Sequence, residues 1–579
     1  MANVAEMLVQ QLVAAGVERV YGIVGDSLNP IVDAIRRSGK IRWIHVRHEE
    51  VAAFAAGADA EVTGKLAVCA GSCGPGNLHL INGLYDAQRN RVPVLAIASH
   101  IPATQIGTNF FQETHPDRLF NECSVFSEML SDPKQLPRVT RTAIEAAQSA
   151  PGVAVLTIPS TVTEMPVDST DELVVNKPRT PRVMAHPDDL RDLAEAMNSA
   201  KKVMMFCGAG TRYAHDEVMA VAGKLNSPVG HSLRGKEWIQ WDNPYDVGMS
   251  GLLGYGAAQE SMEEADLLVL VGTDFPYNTF LPDKVRTAQI DLNPINLGRR
   301  TRADIAIHAD VKETFRELLP MLKQKKSRKW LDEKLKSQAY LMDKVVGAYT
   351  KDGSKLVPIH PEYAAVKLDE AASDDAIFTV DTGMCNVWAA RYITPNGKRR
   401  VIGSFLHGSM ANALPQAIGA AVAEPHRQVV AMCGDGGLSM LLGDLQTIKT
   451  QNLNVKAVVF NNSALCMVKL EMIVGGLVDF GTTNDEMNFA AIGEAMGIRS
   501  VRITDPDDLQ RVLMEEMDKP GPAVIDIVTD PNALSIPPKI EFGQAKGFAF
   551  AMTKEILNGG FGEVMSMARS NLRNIPRRF

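Results

Sequence analysis

Short apolar runs of strand length alternate with longer segments of helix length through the first third of the chain. The runs predict strands at Val20–Val24, Trp43–Val46, Leu66–Ala70 and Val92–Ala98. Strands that alternate with helical segments in this way form a parallel sheet wrapped by helices. We therefore expect residues 1–182 to form a doubly wound α/β domain.

The alternation continues through two further segments. Apolar runs at Lys202–Cys207, Asp266–Gly272 and Ala288–Asp291 predict a second α/β domain over residues 183–332, after a polar, proline-containing linker at Pro166–Pro181. A third domain is expected over residues 333–530, and it is followed by a short amphipathic tail, residues 531–579. The predicted fold class is thus α/β, with three doubly wound parallel-sheet domains. The first and third share one architecture without obvious sequence repetition, which is expected if one fold was duplicated.

One stretch of the third domain combines strand pattern and chemistry. A continuous apolar run from Val429 ends in Gly434-Asp435-Gly436, a segment of helix length follows, and a second apolar run ends in Asn461-Asn462. The carboxyl ends of such parallel strands lie side by side, where ligands bind in open sheets. A carboxylate and an amide oxygen beside glycines suit Mg²⁺ and a diphosphate. Ordinary turns at Asp435 and Asn462 are the alternative.

The composition is typical of a globular protein, and the net charge is negative rather than positive. The chain has 579 residues, 45% of them hydrophobic, and a formal net charge of -8, so nucleic acid is not an expected partner. Cys69 and Cys73 lie in apolar or Gly-rich runs with no second pair, which favours buried reduced thiols over zinc. The N-terminus has no basic n-region, and no run approaches the roughly 18 apolar residues of a spanning helix. A cytoplasmic protein is expected.

The Gly-Asp-Gly motif, followed 27 positions after Asp435 by Asn462, resembles the metal-diphosphate motif of the thiamine diphosphate-dependent enzymes. The resemblance implies that Asp435, Asn462 and the carbonyl of Ala464 hold Mg²⁺ against the diphosphate. It also implies that Gly408 offers a carbonyl to the coenzyme and that Met410 is the wedge that bends it; Met410 as a plain core residue is the alternative. The full set of implied thiamine diphosphate-binding residues is Glu49, Gly408, Ser409, Met410, Asp435, Gly436, Gly437, Asn462, Ser463, Ala464, Leu465, Cys466, Met467 and Val468.

Glu49 is the implied activating acid. It follows Arg47-His48 and precedes an Ala-rich run, Val51–Ala60, and so resembles the strand-to-helix turn where this family places a glutamate beside the aminopyrimidine. A helix N-terminal acid that interacts with the dipole is the alternative, and Glu50 suits that role equally. Since members of the family build each site between two subunits, a homodimer is the minimum and a tetramer is the expected assembly.

Further motifs resemble the flavin-containing branch of the family, and within that branch the pyruvate:quinone oxidoreductases. They are Gly71–Asn77, Phe111–Pro116, Leu233–Lys236 and Phe542–Phe548. Gly208-x-Gly210 alone is only a fragment of a dinucleotide fingerprint. The implied FAD-binding residues are Ser250, Gly251, Leu252, Leu253, Thr273, Asp274, Phe275, Pro276, Tyr277 and Asp291. Gly251 permits close approach and Asp291 suits a ribose or adenine contact, whereas ordinary βα turns are the alternative.

The resemblance implies oxidative decarboxylation of pyruvate to acetate and CO₂, with thiamine diphosphate, Mg²⁺ and FAD as cofactors and a membrane quinone as electron acceptor. The implied substrate-side residues besides Glu49 are Phe111, Gln112, Met467, Val468 and Glu471. Cys466-Met467 departs from the Gly-Phe of the branch, whose phenylalanine is a mobile gate. Since methionine cannot stack as a ring does, activation behaviour is left open.

The C-terminal tail has an apolar stripe, formed by Phe561, Val564, Met565, Ala568, Leu572 and Ile575, with arginines around it. This pattern is typical of an interfacial helix on anionic lipid, and a helix packed on the body is the alternative. Because the tail lies where the quinone-linked branch has its lipid-binding segment, we expect a cytoplasmic protein peripherally bound to the inner face of the cell membrane.

Three other functions compete with this prediction. Acetolactate synthase and the oxygen- and phosphate-dependent pyruvate oxidase share the coenzyme. A thiamine diphosphate-binding scaffold subunit would not be an enzyme. The combination of Glu49, Asp435 and Asn462 weighs against a scaffold, which needs no activating glutamate.

Overall fold

The computed structural model describes residues 2–167, 181–534 and 561–574. Within these ranges the chain forms three α/β domains, each built on one sheet. The predicted fold class is confirmed. Most of the expected linker Pro166–Pro181 lies outside the described residues, as do the motif Phe542–Phe548 and Ile575 of the tail.

The first domain is a six-stranded, fully parallel sheet between two apolar layers. Its strands are β1 (Arg19–Gly22), β2 (Arg42–His45), β3 (Ala67–Gly71), β4 (Val94–His100), β5 (Phe126–Met129) and β6 (Val153–Pro159). Its helices are α1 (Val4–Ala14), α2 (Asn29–Ser38), α3 (Glu49–Thr63), α4 (Pro75–Asn90), α5 (Pro116–Leu119), α6 (Leu136–Ser149) and α7 (Ser160–Thr163). The strand order is β2-β1-β3-β4-β6-β5.

The middle domain has a seven-stranded sheet. Its strands are β7 (Val203–Cys207), β8 (Val229–His231), β9 (Asp246–Met249), β10 (Tyr255–Gly256), β11 (Leu267–Val271), β12 (Arg286–Asp291) and β13 (Ile305–His308). Its helices are α8 (Pro187–Ser199), α9 (His215–Leu225), α10 (Leu233–Ile239), α11 (Ala258–Glu264), α12 (Val311–Leu318) and α13 (Lys329–Leu341). The order is β10-β9-β8-β7-β11-β12-β13, and only the β9–β10 pair is antiparallel.

Helix α13 crosses the expected domain boundary at residue 332 and packs on the middle domain. Lys334 pairs with Glu264 across 2.8 Å, and the backbone N–H of Ala257 donates to Gln338 Oε1 at 2.9 Å.

The third domain repeats the architecture of the first. Its strands are β14 (Ile377–Val380), β15 (Arg400–Gly403), β16 (Val429–Gly434), β17 (Val455–Asn461), β18 (Arg499–Ile503) and β19 (Ala523–Val528). Its helices are α14 (Pro361–Ala371), α15 (Met384–Tyr392), α16 (Ala413–Ala423), α17 (Asp435–Met440), α18 (Leu445–Thr450), α19 (Cys466–Val474), α20 (Phe489–Ala495) and α21 (Pro506–Asp518), and the C-terminal helix is α22 (Phe561–Asn571). Its strand order, β15-β14-β16-β17-β19-β18, is that of the first sheet when each domain is counted from its own first strand.

Small residues bring the first and third domains into close contact within one chain. Helix α3 is buried from Val51 to Ala60 and ends at Gly64, whose φ of 67° closes the helix in the left-handed conformation. A Cβ at Gly419 of α16 would lie 2.0 Å from the carbonyl oxygen of Ala55. The Ala-rich run is therefore buried at the interface between two domains.

All three domains meet at the Arg400 guanidinium. Its Nε donates to Glu237 of the middle domain at 2.8 Å, and its Nη2 lies 3.6 Å from Glu61 of the first domain. Trp238 lies under the guanidinium, with its ring centroid 4.9 Å away. We refer to Arg400, Glu61 and Glu237 as the three-domain junction.

Candidate active site

The carboxyl ends of β16 and β17 place two of the predicted metal ligands side by side. The strands are parallel, and Gly434 pairs with Phe460, so Asp435 and Asn462 leave the sheet at the same edge. The strand pairing predicted from the two apolar runs is confirmed.

Asp435 has a free acceptor atom at this edge. Its Oδ1 accepts the backbone N–H of Gly436 at 2.8 Å, whereas its buried Oδ2 has no hydrogen-bond partner among the described residues. Burial raises the pKa of the Asp435 carboxyl, and backbone amides of Gly436, Ser463 and Ala464 oppose the rise. Since a buried acceptor without a partner is costly, a divalent cation at Oδ2 fits this site.

The turn after β17 is fixed by the side chain of Asn462 and by a neighbouring segment of the chain, Thr482–Asn484. Asn462 Oδ1 accepts the backbone N–H of Ala464 at 3.0 Å, and Ser463 has a φ of 55°. The segment Thr482–Asn484 pairs with this turn: Leu465 donates to Thr482 at 2.7 Å and Asn484 donates to Ser463 at 2.8 Å. The turn is thus held on two sides before any ligand binds.

Three segments converge on Gly436. A Cβ there would lie 2.6 Å from Leu465 Cδ2, 3.4 Å from Asn484 Nδ2 and 3.6 Å from Met410 Cε. Met410 follows Gly408, which has a φ of 76° and open space where a Cβ would be. The structure therefore brings Met410 to the same edge as Asp435, as the sequence-based prediction requires.

Asp381, which the sequence analysis missed, lies beneath this edge. It follows β14 directly and is buried; its Oδ2 accepts the N–H of Gly434 at 3.3 Å and its Oδ1 that of Ala413 at 3.4 Å. Burial raises the pKa of its carboxyl to about 7. A Cβ at Gly437 would lie 1.9 Å from Asp381 Oδ2, so glycine is required there.

Glu49 opens α3 in the first domain and is buried. His48 caps the helix, because its Nδ1 accepts the N–H of Glu50 at 3.2 Å. Glu49 Oε2 lies 2.9 Å from His79 Nδ1, and the His79 ring stacks on His48 at 4.3 Å. His79 is a further candidate that the sequence analysis missed, since a histidine within a helix gives no signal alone.

The other first-domain residues lie near Glu49. Cys73 Sγ donates to Gln112 Oε1 at 3.2 Å, beside the turn that leads to Gly76, where a Cβ would lie 3.0 Å from Glu49 Oε1. Phe111 is 78% exposed. Glu50 has a different role, because its carboxylate accepts the Asn82 amide at 2.7 Å.

Within one chain the predicted residues form two clusters. The contacts described for Glu49 lie in the first domain, and those of Asp435 lie in the third. Both clusters face outward: Leu78 beside His79 is 45% exposed, and Val468 on α19 is 39% exposed.

The middle sheet has a crevice at the carboxyl ends of its strands. The strand order reverses between β7 and β11, which is where ligands bind in open α/β sheets. Gly210 and Gly272 follow these strands and touch, since a Cβ at Gly210 would lie 2.7 Å from Gly272 Cα. Asp291 ends the next strand and accepts the Asn296 amide at 3.1 Å; burial raises the pKa of Asp291 and Arg91 opposes the rise.

A cavity of about 700 Å³ lies beside this crevice, between the three domains. Arg91, Arg212 and Arg234 line it, and each comes from a different helix end or turn. Arg212 Nε is buried without a hydrogen-bond partner among the described residues. The volume falls in the range of roughly 300–1,000 Å³ that ligand pockets have, and the arginines suit an anionic ligand such as a dinucleotide diphosphate.

The predicted flavin loops connect the crevice to the third domain. Gly251 has a φ of 105°, and a Cβ there would lie 2.9 Å from Phe275 Cζ, so this loop requires glycine. Ser250 donates to Gln259 at 2.5 Å and Asp274 pairs with Arg300 at 3.2 Å.

Tyr277 belongs to the same predicted flavin loop, where its ring packs edge-on against Phe275 with the ring centroids 5.6 Å apart. Burial raises the pKa of its hydroxyl, and the carboxylate of Glu471, on α19 of the third domain, raises it further.

Helix α22 packs on the body through a face that combines the buried Met567 with asparagine side chains. Asn571 donates to the carbonyl of Asn532 and Asn574 donates to Glu362, at 2.7 and 2.6 Å. Two residues of the predicted apolar stripe lie on the other side, where Met565 is 43% and Leu572 is 66% exposed. The packing of the helix on the body agrees with the second alternative from the sequence, whereas the contact with anionic lipid stays a prediction.

The sequence predicted neither a membrane-spanning helix nor a zinc site. Among residues 2–167, 181–534 and 561–574, the helices lack the length and apolar character that crossing a membrane requires. In the same ranges there is no group of three or more His, Cys, Asp or Glu side chains arranged for a metal. All seven cysteines of the chain are described, and all are buried free thiols, as predicted for Cys69 and Cys73.

Comparison with known protein families matches each domain in turn. Residues 2–119 match the N-terminal TPP binding domain of the thiamine pyrophosphate enzymes, residues 190–318 match their central domain, and residues 381–527 match their C-terminal TPP binding domain.

Several proteins are similar over nearly the whole chain. A Bacillus subtilis protein, YdaP, provisionally named as thiamine pyrophosphate-containing, is 34% identical over 96% of this chain and 96% of its own. Pyruvate oxidase of Lactiplantibacillus plantarum is 31% identical over 87% of this chain and 84% of its own. The large subunit of acetolactate synthase isozyme 1 from Escherichia coli is 29% identical over 91% and 94%.

Proposed function

We propose that this chain, which belongs to the thiamine pyrophosphate-dependent enzymes, catalyses the oxidative decarboxylation of pyruvate to acetate and CO₂. The electrons would leave through FAD to a membrane quinone. The reaction takes up one water and releases two protons and two electrons per pyruvate. The observation that supports this proposal is a pair of candidate sites in one chain: the strand-end edge of Asp435, whose buried Oδ2 has no hydrogen-bond partner among the described residues, and the cavity lined by Arg212 and Arg234. The similarity to a pyruvate oxidase supports pyruvate as the substrate.

The third domain would hold the diphosphate end of the coenzyme. Asp435 Oδ2, the side-chain oxygen of Asn462 and the carbonyl of Ala464 would bind Mg²⁺, because the first is a buried acceptor without a partner among the described residues. Gly434 leaves open space beside them for a phosphate. When bound, thiamine diphosphate supplies a carbanion at C2 of its thiazolium ring and an acceptor for the electrons that decarboxylation leaves.

Glu49 would hold a proton at N1′ of the aminopyrimidine. The carboxyl is buried, and its contact with His79 fixes one oxygen, so the other can face a ligand. Because the contacts of Glu49 and those of Asp435 lie in different domains, the complete site is proposed to form between two subunits of a homodimer, in a tetramer built from such dimers. The exposed Leu78 and Val468 would then be covered by the partner.

The middle domain would bind FAD, which supplies a two-electron acceptor. Arg212 and Arg234 would neutralise its diphosphate, Asp291 would bind its ribose or adenine, and Gly251 would allow close approach of the backbone.

Substrate and lipid would approach from the exposed surfaces. Phe111, Gln112, Met467, Val468 and Glu471 are the proposed substrate-side residues. The exposed stripe of α22, with Met565 and Leu572, is the proposed contact with anionic lipid, which would place the enzyme on the inner face of the cell membrane.

One assay tests the reaction. Anaerobic addition of pyruvate to the FAD-loaded protein should bleach the flavin, and a soluble quinone should restore its absorption, with acetate as the product; lactate serves as the control that lacks a keto carbon. Acetolactate without flavin bleaching would identify an acetolactate synthase instead. A parallel reaction in air with added phosphate that forms acetyl phosphate and consumes oxygen would identify a phosphate-dependent pyruvate oxidase. A protein that binds the coenzyme without turning over pyruvate would be a scaffold.

A further inference from the structure

A line of polar side chains runs along one face of helix α4, where it packs against α3 and the third domain. The residues are His79, Asn82, Asp86 and Asn90, spaced three or four apart, so they lie on one face of the helix. His79 contacts Glu49, and Asn82 donates to Ser409 Oγ at 2.9 Å. Asp86, further along the same face, has no role in the function proposed above.

Asp86 is fully buried and accepts three hydrogen bonds. Its Oδ1 accepts from Ser404 Oγ at 2.8 Å, and its Oδ2 accepts from Gln416 Nε2 at 3.1 Å and from Asn90 Nδ2 at 3.2 Å. The orientation of Gln416 is fixed, because its Oε1 accepts the Asn412 amide. Since all three partners donate, the surroundings are built for an acceptor-only group, which is what a carboxylate is.

The hydrogen bond to Asp86 determines the acceptor role of the Ser404 hydroxyl oxygen. Its hydroxyl proton points to Asp86, so its oxygen is left to accept the backbone N–H of Ser409 at 3.0 Å. The carbonyl of Ser404 accepts the N–H of Gly408 at 2.7 Å. Ser404 thus closes the turn that leads to Met410.

We propose that Asp86 is a positioning residue for the coenzyme: through the Ser404 hydroxyl it holds Gly408–Met410 in the conformation that the thiamine site uses. The carboxylate is in the first domain and the segment is in the third domain of the same chain. This inference rests on the thiamine diphosphate site described above. It adds a residue that touches neither the metal nor the coenzyme.

The effect is measured as coenzyme affinity. Thiamine diphosphate is titrated calorimetrically, at fixed Mg²⁺, into full-length protein freed of coenzyme, for the unaltered chain, Asp86→Asn, Ser404→Ala and the double variant. Each single substitution should raise the Kd about 10-fold, which corresponds to the loss of one buried hydrogen bond. The double variant should be no weaker than the weaker single variant, since both remove the same link.

A matched control removes a buried carboxylate of the same domain that has other partners. Asp59 is 3% exposed and binds Arg19 and Tyr21. Asp59→Asn should leave the Kd unchanged.

Hydrogen exchange provides a readout that general destabilisation would not reproduce. In Ser404→Ala, the peptide covering residues 404–412 should exchange faster, whereas peptides from α16 and the middle domain should not. Unchanged affinity together with unchanged exchange in Ser404→Ala would overturn the proposal, and this test holds even if Asp86→Asn does not fold. Additive effects of the two substitutions on the Kd in the double variant would also overturn it. Absence of coenzyme binding in the unaltered protein would overturn the thiamine site itself.

Discussion

Adding a single methyl group at Gly437 tests whether Asp381 supports the diphosphate edge. The new Cβ would lie 1.9 Å from Asp381 Oδ2, where ordinary contact begins near 3.4 Å, so one group must move by about 1.5 Å. Asp381 cannot yield freely, because it accepts the N–H groups of Gly434 and Ala413. Gly437→Ala should therefore disturb the turn that contains Asp435.

The magnitude follows from two contributions. Overpacking costs about 1–3 kcal/mol, and loss of a buried hydrogen bond adds about 1 kcal/mol. A total of at least about 2 kcal/mol corresponds to a roughly 30-fold weaker binding of thiamine diphosphate with Mg²⁺. The assay is calorimetric titration of the coenzyme, together with thermal unfolding of the coenzyme-free protein.

Gly434→Ala is the matched control, since it makes the same change three residues earlier. A Cβ there has no atom within 4 Å of it. This variant should unfold at the same temperature as the unaltered protein without coenzyme, while Gly437→Ala should unfold at a lower temperature. Equal coenzyme affinity and equal stability for Gly437→Ala and the unaltered protein would refute the reasoning.

Three further predictions concern the other proposed sites. Glu49→Gln should slow flavin reduction by pyruvate about 10²–10⁴-fold with both cofactors still bound, and near-normal reduction would remove Glu49 from the mechanism. Arg212→Gln should weaken FAD binding about 10- to 100-fold through loss of a charged donor, whereas Arg302→Gln, at an exposed ion pair, should not; equal flavin content in both variants would contradict the assignment. Met565→Asp and Leu572→Asp should abolish sedimentation with anionic vesicles without altering dye reduction, and continued sedimentation would exclude the stripe as the lipid contact.

The sequence predicted features that depend on short-range pattern. Two apolar runs that each end in polar residues were enough to place Asp435 and Asn462 at neighbouring strand ends, because a parallel sheet aligns such ends. The same regularity predicted that the first and third domains share one architecture, and the identical strand orders agree with it.

Features built from distant segments could not be predicted in this way. Asp381 follows a four-residue strand and reads as an ordinary turn residue; its importance comes from Gly437 and Ala413, which only the fold brings to it. Arg212 and Arg234, which are 22 positions apart in the sequence, likewise form a candidate site only because the fold places both at one cavity.

The tail shows a third limit of pattern alone. Its apolar periodicity predicted a stripe, of which Met565 and Leu572 are exposed, but gave no indication that Asn571 and Asn574 would bind the helix to the body through the opposite face.

The three-domain junction has a consequence for how the chain moves. Hinge opening between the domains would break the ion pairs of Arg400, because Glu237, Glu61 and Arg400 each come from a different domain. The junction therefore couples the three domains, since the displacement of any one of them separates at least one of these charged pairs.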